Sequence, residues 1–370
     1  MEDHSDINTE SGTFSCVNCG ADLKYKPGTS KLKCEYCGTE NEIPQIEVSI
    51  EELDFHSHLK DSSATDNTIT VHVVKCENCG ASSTIDPKIV SSECPYCAVP
   101  LIISSAHDEQ MLSPRSLLPF RIEKKDAISE MRKWIKKLWF APDDLKKSGL
   151  NIDHFKGIYI PYWTYDTDTS SNYTGQRGVY YYVTETYTAT ENGKKVTKTR
   201  QVRKTRWYFA SGRVKRFFDD VLTVASKSLP DKYIYALEPW DLENLVPFDE
   251  KYLSGFITEK YGIGLEEGFE IAKKIMDNVI RQDVRRDIGG DTQRIFQVST
   301  AHKDITFKHI LLPVYVSAYR YKNKLFRFLV NARTGEVQGE RPYSKLKIAF
   351  AVVTVLAVAA AIFYFTNAQG

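Results

Sequence analysis

Cys16-Val-Asn-Cys19, Cys34-Glu-Tyr-Cys37, Cys76-Glu-Asn-Cys79 and Cys94-Pro-Tyr-Cys97 hold all eight cysteines of this 370-residue chain. Fourteen residues separate the two CxxC pairs of each half, and the second half repeats the first sixty residues on, Cys16 to Cys76. A CxxC turn lets two thiolates converge on one ion, and two such turns complete a tetrahedral four-thiolate site. Gly20, Gly38 and Gly80 follow the second cysteine of their turns, where a residue without Cβ lets the chain fold back round a metal. Ala98 takes that place in the fourth turn, which is therefore expected to be the least regular. The reading is two structural zinc ribbons, residues 13–45 and 69–104, joined by a connector over 46–68 and preceded by a disordered tail, 1–12.

Two other uses of the cysteines fit less well. A disulfide framework needs an oxidising compartment, yet no signal peptide is read at the N-terminus and most of the chain lacks Cys. A redox CxxC would open a helix beside a βαβ pattern, which the sequence does not offer. A closed four-cysteine site leaves no coordination position for a substrate, so two structural Zn²⁺ ions are expected. Modules of about 30 residues are too small to fold alone, and metal binding supplies the missing free energy.

At the other end, Ile348–Phe365 reads IAFAVVTVLAVAAAIFYF without a charge. Eighteen helical residues span about 27 Å, close to the hydrocarbon thickness of a bilayer. Arg341, Lys345 and Lys347 flank one end, and Tyr364 and Phe365 lie near the other. A single transmembrane helix at 346–366 is expected, with the N-terminal bulk cytoplasmic and the short tail outside. That topology agrees with reduced, metal-binding thiols. Elsewhere the chain is mostly soluble in character, with a mean hydropathy of −0.37. Aromatic residues reach 12%, which argues for packed cores and against disorder. A net charge of +1 excludes steering of polyanions by the molecule as a whole, so any basic surface must be local.

Residues 113–344 read as an α+β domain. Leu117–Ile122 is strand-like and enters a helix from Lys124 to about Phe140, with Ile128, Met131, Trp134, Ile135 and Leu138 on one face. Gly157–Asp168 is strand-like. A second amphipathic helix covers Leu265–Ile288 and stops at Gly289-Gly290. The rest is β: Arg294–Thr300, Thr306–Tyr321, Leu325–Asn331 and Glu336–Glu340, with a turn marked by Asn323. The half beginning Phe256-Ile257-Thr258-Glu259 echoes that beginning Phe120-Arg121-Ile122-Glu123. Each gives a strand, a helix and then a strand with proline beside aromatics, Ile160-Pro161-Tyr162-Trp163 and Leu312-Pro313-Val314-Tyr315. A duplicated antiparallel sheet carrying helices is therefore expected.

Between the halves lies a long hairpin, about 178–210, with Asn192-Gly193 as its turn. Its returning strand carries Lys194, Lys195, Lys198, Arg200, Arg203, Lys204 and Arg206, and no acid interrupts Asn192–Phe218. One reading is a solvated strand face whose lysines deter edge pairing. The other is an anion-facing surface for lipid headgroups at the inner leaflet, or for nucleic acid with the facing tyrosines. The ribbons themselves balance lysine against acid and lack the positive excess that phosphate binding needs.

Motifs for catalysis are missing: there is no G-x-x-x-x-G-K-[ST], H-E-x-x-H, G-x-S-x-G or G-x-G-x-x-G. His56 and His58 read as an exposed connector pair, and His302 and His309 as core or edge histidines. Asp166, Asp168, Asp219, Asp220, Asp283 and Asp287 are the carboxylates from which an acid–base site would be built, but solvated or paired carboxylates are commoner. No catalytic residue and no small-molecule substrate is inferred.

The ordered segments LLPF, KLWFAP (Lys137–Pro142), IPYWTYD, TRWYFASGRV, LEPWDL, QDVRRDIGGD, TFKHILLPVYV and RFLVNARTGEVQGERP, together with the eight cysteines, resemble the bacterial membrane-anchored double zinc-ribbon proteins. These are often labelled TFIIB-type zinc-ribbon or primosomal protein N′ (replication factor Y) helicase-like. The resemblance runs through Ser344. It implies Zn²⁺ at the eight cysteines and a scaffold or adaptor at the membrane, beside flotillin-like SPFH or phage-shock-type membrane-stress proteins. The helicase label would follow from the ribbons alone, since the motor motifs are absent.

Overall fold

A computed structural model describes residues 14–44, 50–60, 68–85, 92–147, 155–191, 193–322 and 324–368. The expected tail, the linker at 61–67 and the turn residues Asn192 and Asn323 lie outside them. The first ribbon folds as a three-stranded antiparallel sheet, β1 (Leu23–Lys26), β2 (Lys31–Cys34) and β3 (Glu40–Glu42). The connector forms β4 (Leu53–Asp54) and α1 (Phe55–Lys60). The second ribbon contributes β5 (Thr68–Lys75) and β6 (Ser82–Thr84), and β7 (His107–Leu112) and β8 (Ser116–Leu117) follow.

The second ribbon is not a separate module. β5 pairs with β7, outside the expected 69–104, and β6 pairs with β12 (Ile257–Glu259) in the large sheet. Val73 and Val74 face opposite sides of β5 and are both buried, so the strand needs cover on each face.

Downstream lie α2 (Lys124–Lys137), α3 (Asp143–Lys147), β9 (Lys156–Glu191), β10 (Lys194–Val224), α4 (Asp231–Ile234), β11 (Val246–Pro247), α5 (Leu265–Ile288), β13 (Thr292–Tyr321), β14 (Lys324–Asn331), β15 (Val337–Gly339) and α6 (Lys345–Ala368). β9 pairs antiparallel with β10 from Val224↔Tyr162 to Lys194↔Glu191, and with β13 from Val316↔Lys156 to Thr292↔Gly178. The strand expected at 157–168 and the rising arm of the hairpin expected at about 178–210 are thus one strand, β9. Glycines lie in the ladder where neighbours crowd in: a Cβ on Gly175 of β9 would collide with the Arg294 carbonyl, and one on Gly212 of β10 would lie 2.7 Å from Tyr173 Oη. Irregularities are absorbed by bulges at Phe218/Val221 and Lys303/Thr306, where Asp220 and Asp304 both take φ of 49°.

Alternation along β9 divides the core. Tyr159, Trp163 and Tyr165 face α2, α5 and α1, while Ile158, Ile160 and Tyr162 face the opposite way. α5 buries Phe269, Ala272, Met276, Ile280, Val284 and Ile288 on one stripe. Full burial of each large apolar side chain is worth about 1.5–3 kcal/mol, more than helix propensity supplies. Gly268 lets this helix close on the sheet, since a Cβ there would sit 2.8 Å from the Trp163 ring. The helix ends at Gly289, φ 66°, as its glycines suggest. Against the other sheet face pack Cys76, Cys94, Tyr96 and Cys97 of the second ribbon, with Leu229, Ile234, Leu237 and Trp240.

The helix expected to reach Phe140 ends at Lys137. Leu138 turns extended and is buried with Ala141, which throws Trp139 and Phe140 outward. The strand expected at Leu117–Ile122 is only Ser116–Leu117, and Phe120–Glu123, the echo of Phe256–Glu259, forms no strand; β8 runs parallel to β13 at Ile310 and Leu311, and β12 runs parallel to β9 at Ile158 and Tyr159. Each lies beside the long strand of the other half. α6 contains one apolar span, Lys345–Asn367, of mean hydropathy 2.6 and with none of its window buried, long enough to cross a membrane.

Candidate metal centres

Each ribbon closes its four sulfurs into one cluster, Cys16, Cys19, Cys34 and Cys37 in the first and Cys76, Cys79, Cys94 and Cys97 in the second. Within each, all four Sγ atoms lie within 4.8 Å of one another. The closest cross-pairs are Cys16–Cys37 at 3.6 Å and Cys19–Cys34 at 3.5 Å, then Cys76–Cys97 at 3.6 Å and Cys79–Cys94 at 3.5 Å. Those separations exclude disulfides, which need about 2.05 Å. A tetrahedron with metal–sulfur bonds of about 2.3 Å has edges of about 3.8 Å, so the cages fit an ion of zinc's size and preference.

The knuckles share one backbone design. Gly20, Gly38 and Gly80 have φ of 73°, 75° and 77°, and their N–H groups return to the carbonyls of Cys16, Cys34 and Cys76 at 2.8, 3.1 and 2.8 Å. Ala98 makes the same turn, with φ 57° and a 2.9 Å bond to the Cys94 carbonyl. The fourth knuckle, expected to be irregular, matches the others. Its cost is conformational, about 1–2 kcal/mol for an L-residue in the left-handed region.

The thiols are electrostatically uneven. The Thr39 hydroxyl holds Cys37 down to about 5, and the Cys94 thiol holds Cys79 down to about 5, while Cys94 itself is pushed up. A metal would displace the remaining protons.

Both cages are tied to the α+β body. Tyr25 Oη donates to the Thr29 carbonyl at 2.5 Å and the Phe120 carbonyl at 3.3 Å, and its ring lies edge-on to Tyr252 at 5.1 Å. Ser254 Oγ donates to the Leu23 carbonyl at 2.6 Å. In the second cage, Tyr96 is fully buried between Cys94 and Cys97, and its hydroxyl donates to Glu259 Oε2 at 2.6 Å. Ser226 donates to Glu259 Oε1 at 2.7 Å, Ser228 also donates to it, and burial raises the Glu259 carboxyl's pKa. Arg327 of β14 caps the Tyr96 carbonyl at 3.1 Å.

The sequence reading missed Tyr96 and Glu259, because a tyrosine inside a CxxC pair reads as a spacer. It also missed Glu52 and Lys308. Lys308, 7% exposed, binds Glu52 at 3.0 Å and Asp220 at 2.8 Å, while Asp166 accepts the Asp220 N–H at 2.6 Å. Burial, reinforced by Glu52, pushes Asp166 up to about 7. The cue was a lone lysine in the apolar run Phe307–Val316.

The other carboxylates do not converge with that group. Asp283 takes a two-pronged bond from Arg216 at 2.6 and 2.9 Å, and Asp287 accepts from Tyr173 Oη at 2.5 Å, so both pin α5 to the sheet. Asp168 and Asp219 are exposed. The histidines separate too: His58 stacks edge-on against Phe307, His302 against Phe269, and His309 lies 4.6 Å from Trp163, its pKa lowered by burial to about 4. His56 rests against Phe55.

The basic residues of the hairpin divide between its faces. Lys195 and Arg203 share one face, and Lys194, Lys198, Arg200, Lys204 and Arg206 share the other. Glu185 across the ladder meets Lys204 at 3.1 Å and Arg200 at 3.6 Å. Arg203 stacks over Tyr180 at 4.3 Å, Arg206 over Tyr181 at 5.1 Å and Arg200 over Tyr187 at 5.5 Å. Past Gly178 the β13 pairing ends, so Val179–Arg206 continues as a two-stranded ribbon among the described residues, about 40 Å long at ~3.3 Å per residue.

No family model matches the chain, and no solved structure matches it. Over 339 residues the chain is 27% identical to the uncharacterized protein YdjG of Bacillus subtilis (strain 168), a match that covers 91% of this chain and 92% of that one.

Proposed function

We propose that the protein is a non-enzymatic, zinc-containing adaptor of the bacterial membrane-anchored double zinc-ribbon kind, held at the cytoplasmic face by α6 and binding partner proteins there. The observation that carries this reading is that both cysteine cages and the start of α6 are fastened to one α+β body. Tyr96 and Tyr25 fasten the cages, and Ser344 and Lys347 fasten the helix start through the Phe140 carbonyl and Asp143. Zinc supplies structural cross-linking there, and the eight cysteines hold it. The match to YdjG along nearly its whole length supports a shared arrangement.

The hairpin turn and the start of α6 lie at opposite ends of the sheet. β9 begins at Lys156 beside Val316, and the turn between α2 and α3, to which the start of α6 is bonded, packs through Leu138 and Ala141 in the same cluster as Tyr319 and Phe328, beyond that beginning. Glu191 is on the order of 100 Å away along the strand. This favours a soluble partner for the hairpin over the inner leaflet, and partners of the SPFH or phage-shock type are the class to test. Cell fractionation combined with affinity capture, with and without Cys76→Ser, tests the reading. Recovery in the soluble fraction, with no partner lost in the variant, would end it.

A second reading, nucleic-acid binding, is favoured by one observation. On the sheet face away from α5, Arg294 stacks on Trp207 at 3.9 Å, and Phe209 and Phe296 stand 72% and 60% exposed nearby. Binding of a single-stranded oligonucleotide that weakens steeply with salt, and fails when Lys198, Arg200, Arg203 and Lys204 are neutralised, would support it. Unchanged affinity in that variant would remove the hairpin from it.

A further inference from the structure

The turn between α2 and α3 places bulky apolar groups where a soluble protein does not need them. Leu138 and Ala141 are buried in the core and hold the turn in place, while between them Trp139 is 77% exposed and Phe140 39% exposed. The Phe140 carbonyl accepts the Ser344 N–H at 2.8 Å, one residue before α6 begins. Lys347 Nζ donates to the Ala141 carbonyl at 3.1 Å and pairs with Asp143 at 2.5 Å. No free linker therefore separates this turn from the apolar span.

We infer that Trp139 and Phe140 form a second membrane contact, seated in the headgroup region of an anionic phospholipid leaflet where α6 enters it. The inference rests on the reading of α6 as a spanning helix. Charge-free sequence begins at Ile348, and one helical turn is about 5.4 Å, so a group bonded to Ser344 lies within about one to two turns of the hydrocarbon. That is the depth at which an amphipathic indole is favoured, since its ring reaches apolar chains while its N–H stays wet. Tyr343, 55% exposed, flanks the same entry point. Lys136 and Lys137 end α2 beside the turn, and Arg341 and Lys345 precede and begin α6. Two acids open α3 next to the turn: Asp143 is paired with Lys347, and Asp144 accepts the Leu145 N–H at 3.0 Å, which leaves the basic residues in excess. Aromatics ringed by lysine and arginine match a surface that is apolar below and negatively charged above. Seated this way, the head is held by a helix and a turn together, which fixes one end of the sheet to the bilayer.

Tryptophan quenching in vesicles tests the seat. Full-length protein and Trp139→Phe are reconstituted into phosphatidylcholine–phosphatidylglycerol vesicles whose acyl chains are brominated close to the headgroup. Both proteins should co-float with vesicles after an alkaline wash, because α6 is unchanged. Wild-type emission should then be quenched more strongly than that of the variant, and the difference spectrum between them should be lost on bromination. Co-flotation with an unquenched difference spectrum overturns the seat and leaves the anchor standing. So does a Trp139 shielded through vesicle-independent cross-linking to a second copy. Failure of both proteins to co-float removes the spanning helix, and the seat with it.

Discussion

The Tyr96 hydroxyl, held between two ligands of the second cage, donates a 2.6 Å hydrogen bond to Glu259 on β12. Glu259 is 2% exposed and lies in the strand that pairs with both β6 and β9. The metal cage and the central sheet are thus joined through one buried polar contact. Removing the phenol oxygen takes the donor from Glu259 Oε2, while Ser226 and Ser228 still hold Oε1. Tyr96→Phe should therefore cost about 1–3 kcal/mol while two metal ions per chain remain bound. Thermal melts with metal analysis check this, and a double-mutant cycle with Glu259→Gln should show coupling between the sites. Additive losses would mean that the contact transmits nothing.

Metal removal should be felt beyond the ribbons. β5 and β6 belong to the large sheet, so chelation should lower the melting temperature of the α+β body itself and should not simply release a small separate unit. Calorimetry of full-length protein with and without a chelator reads this directly. Two independent transitions, the larger one unmoved, would contradict the integrated sheet. Far fewer than two ions per purified chain would contradict the cages.

Ala98→Gly should stabilise the second ribbon by roughly 1 kcal/mol, since the turn already holds φ at 57° and glycine removes the Cβ strain. Glycine's added freedom in the unfolded chain offsets part of this gain. The expected signs are a higher melting temperature and slower metal loss to a chelator. A lower melting temperature would show that the Ala98 methyl packs usefully.

A pH effect should come from the carboxyl pair that docks the connector on the sheet. Burial raises Asp166 from 3.8 to about 7, so the folded chain keeps a proton there that the unfolded chain releases. This contribution is present at low pH and is lost as pH rises through about 7. Glu52 moves the other way, lowered to about 2 despite its burial by bonds from Asp166, Thr306 and Lys308. Its contribution is complete above about 4.5 and fails only as pH falls toward 2. Between about pH 4 and 7, therefore, wild-type stability should fall relative to Asp166→Asn, whose amide oxygen can still accept the Asp220 N–H, and level off above. Melting curves of both proteins across that range check it, and parallel curves would refute it.

Local chemistry made some of this molecule legible in its residues. The CxxC spacing and its glycines depend on a few adjacent backbone angles, and both cages close as that spacing implies. The apolar stripe of α5 and its Gly289 stop are equally local, and the helix runs over Leu265–Ile288 as its periodicity requires. The charge-free C-terminal run likewise forms a single helix.

Tertiary structure decided the rest. Gly175 and Gly212 are close approaches inside a continuous ladder, and only a neighbouring strand shows whether missing side-chain volume means a turn or a crossing. Whether Ala98 can make a glycine's turn depends on the return of its N–H to Cys94, and whether Tyr96 is a spacer or a bolt depends on Glu259, 163 residues away in sequence. Spacing along the chain can specify a metal cage, since the ligands of each knuckle are sequence neighbours. It cannot specify what the cage is fastened to, since that partner is chosen by burial between distant strands.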